Sequence, residues 1–118
     1  MKRAELRIPD YIAHILEAIE PIAEYTAGMD EDGFLHNTLV QDAAIRNIEI
    51  IGEAARNIER ASPAFIAAHD GIPWSTMMAM RNRVSHGYMT INLSLVWKTI
   101  RSDLPELAKP IRALRSGE

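Results

Sequence analysis

The fold class that the sequence predicts is all-α, an up-and-down bundle of four to five helices. Apolar residues recur at helical spacing in every long segment, and no segment alternates apolar with polar residues as a half-buried strand would. The breaks between segments hold Gly, Pro, Asp and Asn, which punctuate helices. Apolar residues make up 47% of the 118 and charged residues 25%, enough to fill one core, so a single domain over residues 1–118 is expected.

The first helix is predicted over "IPDYIAHILEAIEPIAEYTAG". Pro9 and Asp10 suit a helix start, Tyr11, Ile12, Ile15, Ile19 and Ile22 form an apolar stripe, and Gly28 can close the helix. Pro21 stands inside that pattern and predicts a kink. The acidic link "MDEDGF" resembles the start of a calcium loop, but Gln41 stands where the twelfth-position glutamate should be, and that reading fails. The clearest helix is "NTLVQDAAIRNIEIIGEAARNIER", with Asn37 as its cap and Ala44, Ile48, Ile51, Ala55 and Ile58 as its apolar stripe. Arg46, Glu49, Glu53 and Arg60 fall elsewhere on it. A mid-helix glycine costs up to about 1 kcal/mol relative to alanine, so Gly52 predicts a close approach by another helix.

"SPAFIAAH" reads as a short helix capped by Ser62 with Pro63 in its first turn. A further helix from about Trp74 carries Met77, Met78 and Met80, expected in the core, into "RNRVSHGY". The last segment spaces Leu93, Val96, Trp97, Ile100, Leu104, Leu107, Ile111 and Leu114 helically and should bend at Pro105, with Pro110 a second candidate. Trp74 and Trp97 lie within apolar patterns and are read as packing anchors rather than base-stacking platforms.

Several function classes lose support at once. The chain has no cysteine, which excludes disulfides and thiolate metal sites. His14, His36 and His69 have no metal-ligand spacing with one another, so neither a metal nor another cofactor is expected. No apolar run follows "MKRAELR" and no stretch is long enough to cross a bilayer, so a cytoplasmic protein with no membrane partner is expected. Residues 1–80 carry 6 basic and 13 acidic side chains, net −7, and residues 81–118 carry 7 basic and 3 acidic, net +4, which gives the total of −3. Most proteins that bind nucleic acid by neutralising phosphate are basic overall, yet the C-terminal third could still hold a phosphate backbone.

"RNRVSHGY" concentrates the chemistry. Arginine presents a permanent cation with a planar fork of donors suited to phosphate oxygens. Histidine titrates near neutral pH and can carry a proton to or from a ribose hydroxyl or a leaving oxygen, and an amide such as Asn82 can orient either group. These are parts for metal-free RNA cleavage, in which the 2′-hydroxyl attacks the adjacent phosphate, although one copy lacks a second histidine for the leaving group. The helix dipole alone also favours cations in a last turn, so the residues by themselves leave open a merely decorated helix end.

The motif Arg81-x4-His86, with Asn82 after the arginine and Tyr88 two places past the histidine, resembles the signature of HepT-like toxins of the HEPN superfamily. "QDAAIRNIEIIGEAAR", "IPWSTMMAMRNRVSHGY" and "LVWKTIRSDLPEL" resemble family blocks in the expected order, so the likeness spans nearly the whole chain, with Pro21 and Pro110 as departures within helices. The resemblance implies an all-helical HEPN domain that forms homodimers, with two arginine–histidine motifs facing across the interface and so supplying two histidines. It implies a metal-independent ribonuclease toxin acting on RNA, paired with a nucleotidyltransferase antitoxin of the MNT type and open to higher assembly with it. By position, His86 would transfer protons, Arg81 bind phosphate, Asn82 orient, and Tyr88 accept AMP from the antitoxin. Arg46, Glu53 and Arg83 are further candidates near the site. The alternative is a non-catalytic dimeric module that binds nucleotide or RNA, or partners a nucleotidyltransferase, and keeps the motif for structure.

Overall fold

A computed structural model describes residues 6–85 and 92–115, with the helical backbone alone for 82–85. Among these residues there are seven α-helices and one π-helical turn, and no strand. α1 spans Ile8–Thr26, α2 Glu31–Leu35, α3 Thr38–Ala61, α4 Pro63–Ala68, α5 Trp74–Ser85, α6 Leu93–Lys98 and α7 Leu104–Arg115, with the π-helical turn Thr99–Asp103 between the last two. The all-α bundle expected from the sequence is therefore present.

α3 is the spine, packed against α1 and α5, and α7 packs along α1. Its predicted stripe of Ala44, Ile48, Ile51, Ala55 and Ile58 is wholly buried. Its start is fixed by the Asn37 side chain, which accepts the backbone N–H of Val40 at 3.0 Å, and α4 is capped in the same way by Ser62, which accepts from Phe65 at 3.1 Å. α1 runs unbroken through Pro21 and ends at Thr26, where Gly28 takes φ +74°, the left-handed conformation that glycine adopts without penalty. The missing N–H of Pro21 removes one hydrogen bond, while Ile15, Ile19 and Ile22 stay on a single buried face.

Two elements differ from the sequence reading. The acidic link folds into α2, because Asp30 accepts the N–H of Gly33 at 2.8 Å and Phe34 is buried against the Trp97 ring, 5.2 Å between centroids. Gln41, which ended the calcium-loop reading, is buried and donates to the Phe34 carbonyl at 2.9 Å. The last predicted helix does not simply bend at Pro105: the chain widens into the π-helical turn just before it, then continues as α7 through Pro110. Pro105 has no N–H to give the preceding turn, and a wider turn accommodates that loss. Arg101 braces this turn, its guanidinium 4.6 Å from the Trp97 ring centre and donating to the Met29 carbonyl.

Trp74 and Trp97 are buried packing anchors, the former donating its indole N–H to the His69 carbonyl at 3.0 Å. Met77 and Met80 are fully enclosed and Met78 packs partly against the core. Among the described residues no helix is long and apolar enough to cross a membrane.

Candidate active site

The site begins with a glycine. A Cβ built on Gly52 would stand 2.7 Å from the Arg81 Cβ, closer than a side chain tolerates, and a tight 3.2 Å from the Met77 carbonyl oxygen. Gly52 thus sets how near α5 lies to α3, the close approach that a mid-helix glycine predicts. Met77 and Met80 anchor α5 in the core, and Arg81, next in sequence, emerges at the rim.

Beside it, α3 presents Arg46, Glu49, Ile50 and Glu53 at spacings of three, four and seven residues from Arg46, all on one face. These four and Arg81 line an open, shallow concavity of about 250 Å³. The Arg81 Nε lies 3.9 Å from the Glu53 Oε2, with the two side chains 46% and 48% exposed. A pair that open and that long contributes at most about 1 kcal/mol. The guanidinium lines the concavity beside Glu53, and an incoming phosphate could take the carboxylate's place, because a phosphate offers paired oxygens to the same fork of donors.

Of the residues singled out from sequence, Arg46, Glu53 and Arg81 are brought together. The side chains of Asn82 and Arg83, and all of His86 and Tyr88, lie outside the described residues. Glu49 and Ile50 also line the concavity, though the sequence reading gave them no role. Their signal was the spacing from Arg46, which is available once the neighbouring helix is known. With two arginines and two carboxylates, the described part of the concavity is close to neutral. Among the described residues no group of three His, Asp or Glu side chains could hold a metal ion.

Comparison with known proteins places the chain in a family. A family model described as "Ribonuclease HepT-like" matches residues 15–114. A protein of Thermococcus cleftensis with the name "Probable ribonuclease HepT" is 39% identical over 115 residues, covering 98% of this chain and 99% of its own. A protein of Methanocaldococcus jannaschii named "Gamma-glutamylcyclotransferase and putative RNase" is 41% identical over 101 residues, 86% of this chain, which spans only 44% of that longer protein. A "Putative RNase" of Caldanaerobacter subterraneus is 32% identical over 108 residues, covering 92% of this chain and 94% of its own. No solved structure matches the chain significantly.

Proposed function

The chain belongs to the HepT-like ribonuclease family, and from that premise we propose that it is a metal-independent endoribonuclease, the toxin of a type II toxin–antitoxin pair, acting as a homodimer of single-domain subunits in the cytoplasm. One observation carries the reading: the family match over residues 15–114 includes the whole of Arg81-Asn82-x3-His86-x-Tyr88.

In this reading the ribose 2′-hydroxyl attacks the adjacent phosphorus while His86 takes its proton. The bond to the 5′-oxygen breaks, and His86 of the partner subunit supplies that oxygen with a proton. The products are a 2′,3′-cyclic phosphate and a 5′-hydroxyl. Arg81 binds the phosphate oxygens as charge accumulates on them, and Asn82 orients the phosphate or the imidazole. Glu53 would hold Arg81 until substrate arrives, and Arg46 and Arg83 would add positive charge around the phosphate. Tyr88 would be the acceptor of AMP from a nucleotidyltransferase antitoxin. The added phosphodiester would occupy Arg81 or Arg83 and, by bulk and charge, oppose RNA entry.

The second reading, a non-catalytic dimeric module that binds nucleotide or RNA, is favoured by the net charge of −3 and by Glu53 lying against Arg81. Cleavage of RNA by the purified protein in EDTA separates the two. His86→Ala should lower that cleavage by about 10²–10⁴-fold, the usual contribution of a general acid–base group, and leave a folded dimer. Full activity in His86→Ala, or activity lost to the chelator, would contradict the mechanism. Mixing His86→Ala with wild type should give heterodimers of reduced activity. Tyr88→Phe should cleave RNA normally yet gain no mass when co-expressed with the antitoxin.

A further inference from the structure

The +4 balance of residues 81–118 is only partly used by the proposed cleavage site, since Lys98, Arg101, Lys109, Arg112 and Arg115 all lie beyond it in sequence. Three of these, Arg101, Lys109 and Arg112, rim a slot of about 340 Å³ between α1 and the C-terminal π-turn and α7. The slot has an apolar floor of buried Ile19, Ile22, Leu104 and Ala108, and its lips include Ala23 and Pro105, both exposed. No Asp or Glu is among the described residues that line it, although α1 carries Glu17, Glu20 and Glu24. Arg101 is already fixed there by its stacking on Trp97 and its bond to the Met29 carbonyl, so less side-chain freedom is lost when an anion binds it.

An apolar slot ringed by cations suits a ligand that joins a flat apolar group to an anion. We propose that this slot is a second RNA-binding site, which takes one base of a single-stranded RNA onto its apolar floor and the flanking phosphates onto Arg101, Lys109 and Arg112. Single-strand binders combine a cationic groove that tracks the backbone with surfaces that take the bases, aromatic in the usual case and aliphatic here. The volume is at the small end for ligand sites, enough for one base and its sugar. The slot is built on α1 and α7, whereas the Arg81 concavity is built on α3 and α5, and the two share no lining residue. The identity of the polymer rests on the ribonuclease reading, and the slot would hold RNA away from the cleavage site.

Fluorescence anisotropy with an end-labelled single-stranded RNA, in a His86→Ala background that leaves the RNA intact, tests the site. Lys109→Glu combined with Arg112→Gln should weaken binding and reduce the salt dependence, the slope of log affinity against log salt becoming shallower by about 1.4 for two lost phosphate contacts. Ala23→Trp, which fills the slot from its exposed lip, should weaken binding by about fivefold, the low end of what one base contributes even on an aromatic platform. In the cleavage-competent chain the Lys109 and Arg112 substitutions should raise KM and spare kcat. RNA affinity and salt slope unchanged in the charge variant would overturn the proposal, as would Ala23→Trp binding as tightly as its parent. A charge variant that binds RNA normally but no longer holds a nucleotidyltransferase would reassign the surface to a protein partner. The two readings fail separately: RNA bound through the slot but never cut would sink the ribonuclease mechanism alone, and RNA cut with unchanged KM would sink the slot alone.

Discussion

The α3–α5 seam and the α1–α7 seam both present arginine to solvent, and they are built in opposite ways. In the first, a glycine removes the side chain that would separate the helices, so Arg81 is pressed against α3 and meets Glu53. In the second, the chain takes a π-helical turn just before Pro105, and Arg101, Lys109 and Arg112 line a slot beside α1 with no carboxylate among its described lining residues. Close packing brings one cation near a counter-ion, which in the proposed function a phosphate would displace. The slot of about 340 Å³ has room for the apolar part of a ligand as well as its charge. In the proposed readings the same residue type would meet the phosphate that is cut in one seam and phosphates that are only held in the other, with Gly52 beside the first and Pro105 beside the second.

The comparison breaks most severely at Trp97, the ring on which Arg101 rests. Trp97→Ala removes a buried aromatic and should cost about 3–5 kcal/mol of stability, measurable as a lowered midpoint in urea. A loss under about 1 kcal/mol would mean that the C-terminal seam is not anchored there. Gly52→Ala comes next. Overpacking costs about 1–3 kcal/mol, offset by about 1 kcal/mol of helix propensity, so a net loss of up to about 2 kcal/mol is expected. Its cleavage rate should fall more than its stability accounts for, because the new Cβ displaces Arg81. Gly52→Ala with raised stability and full cleavage would show that α5 can shift without consequence. Glu53→Gln is the mildest change. Stability should move by less than about 1 kcal/mol, since the pair is half exposed, while RNA affinity at low salt should rise through loss of a competing negative charge. Weaker RNA binding in Glu53→Gln would mean that the carboxylate positions Arg81 for substrate instead of competing with it.

Much of this architecture was legible in residue types and spacing. The stripes of α1 and α3 and the caps Asn37 and Ser62 follow from the period of apolar residues and from oxygen-bearing side chains at helix starts. α2 was not legible, because five residues carry no periodicity and its helix depends on Phe34 reaching Trp97, a contact between distant parts of the chain. Pro105 announced an interruption but not its form, since a proline's missing N–H can be met by a break, a bend or a wider turn. At the candidate site, Gly52 signalled a close neighbour without naming it. The convergence of Arg46, Glu49 and Glu53 on Arg81 required knowing that the neighbour is α5. The roles of Asn82, Arg83, His86 and Tyr88 rest on sequence motif and family membership.

The most direct test of the central claim, that RNA is cut at the α3–α5 end of the molecule, is cleavage of one RNA by Arg81→Ala in EDTA beside wild type. Loss of a preorganised donor to developing charge typically costs about 10²–10³-fold in kcat. The account predicts a fall of that size with the circular dichroism spectrum and dimer mass unchanged. An Arg81→Ala protein that cleaves at the wild-type rate would contradict it.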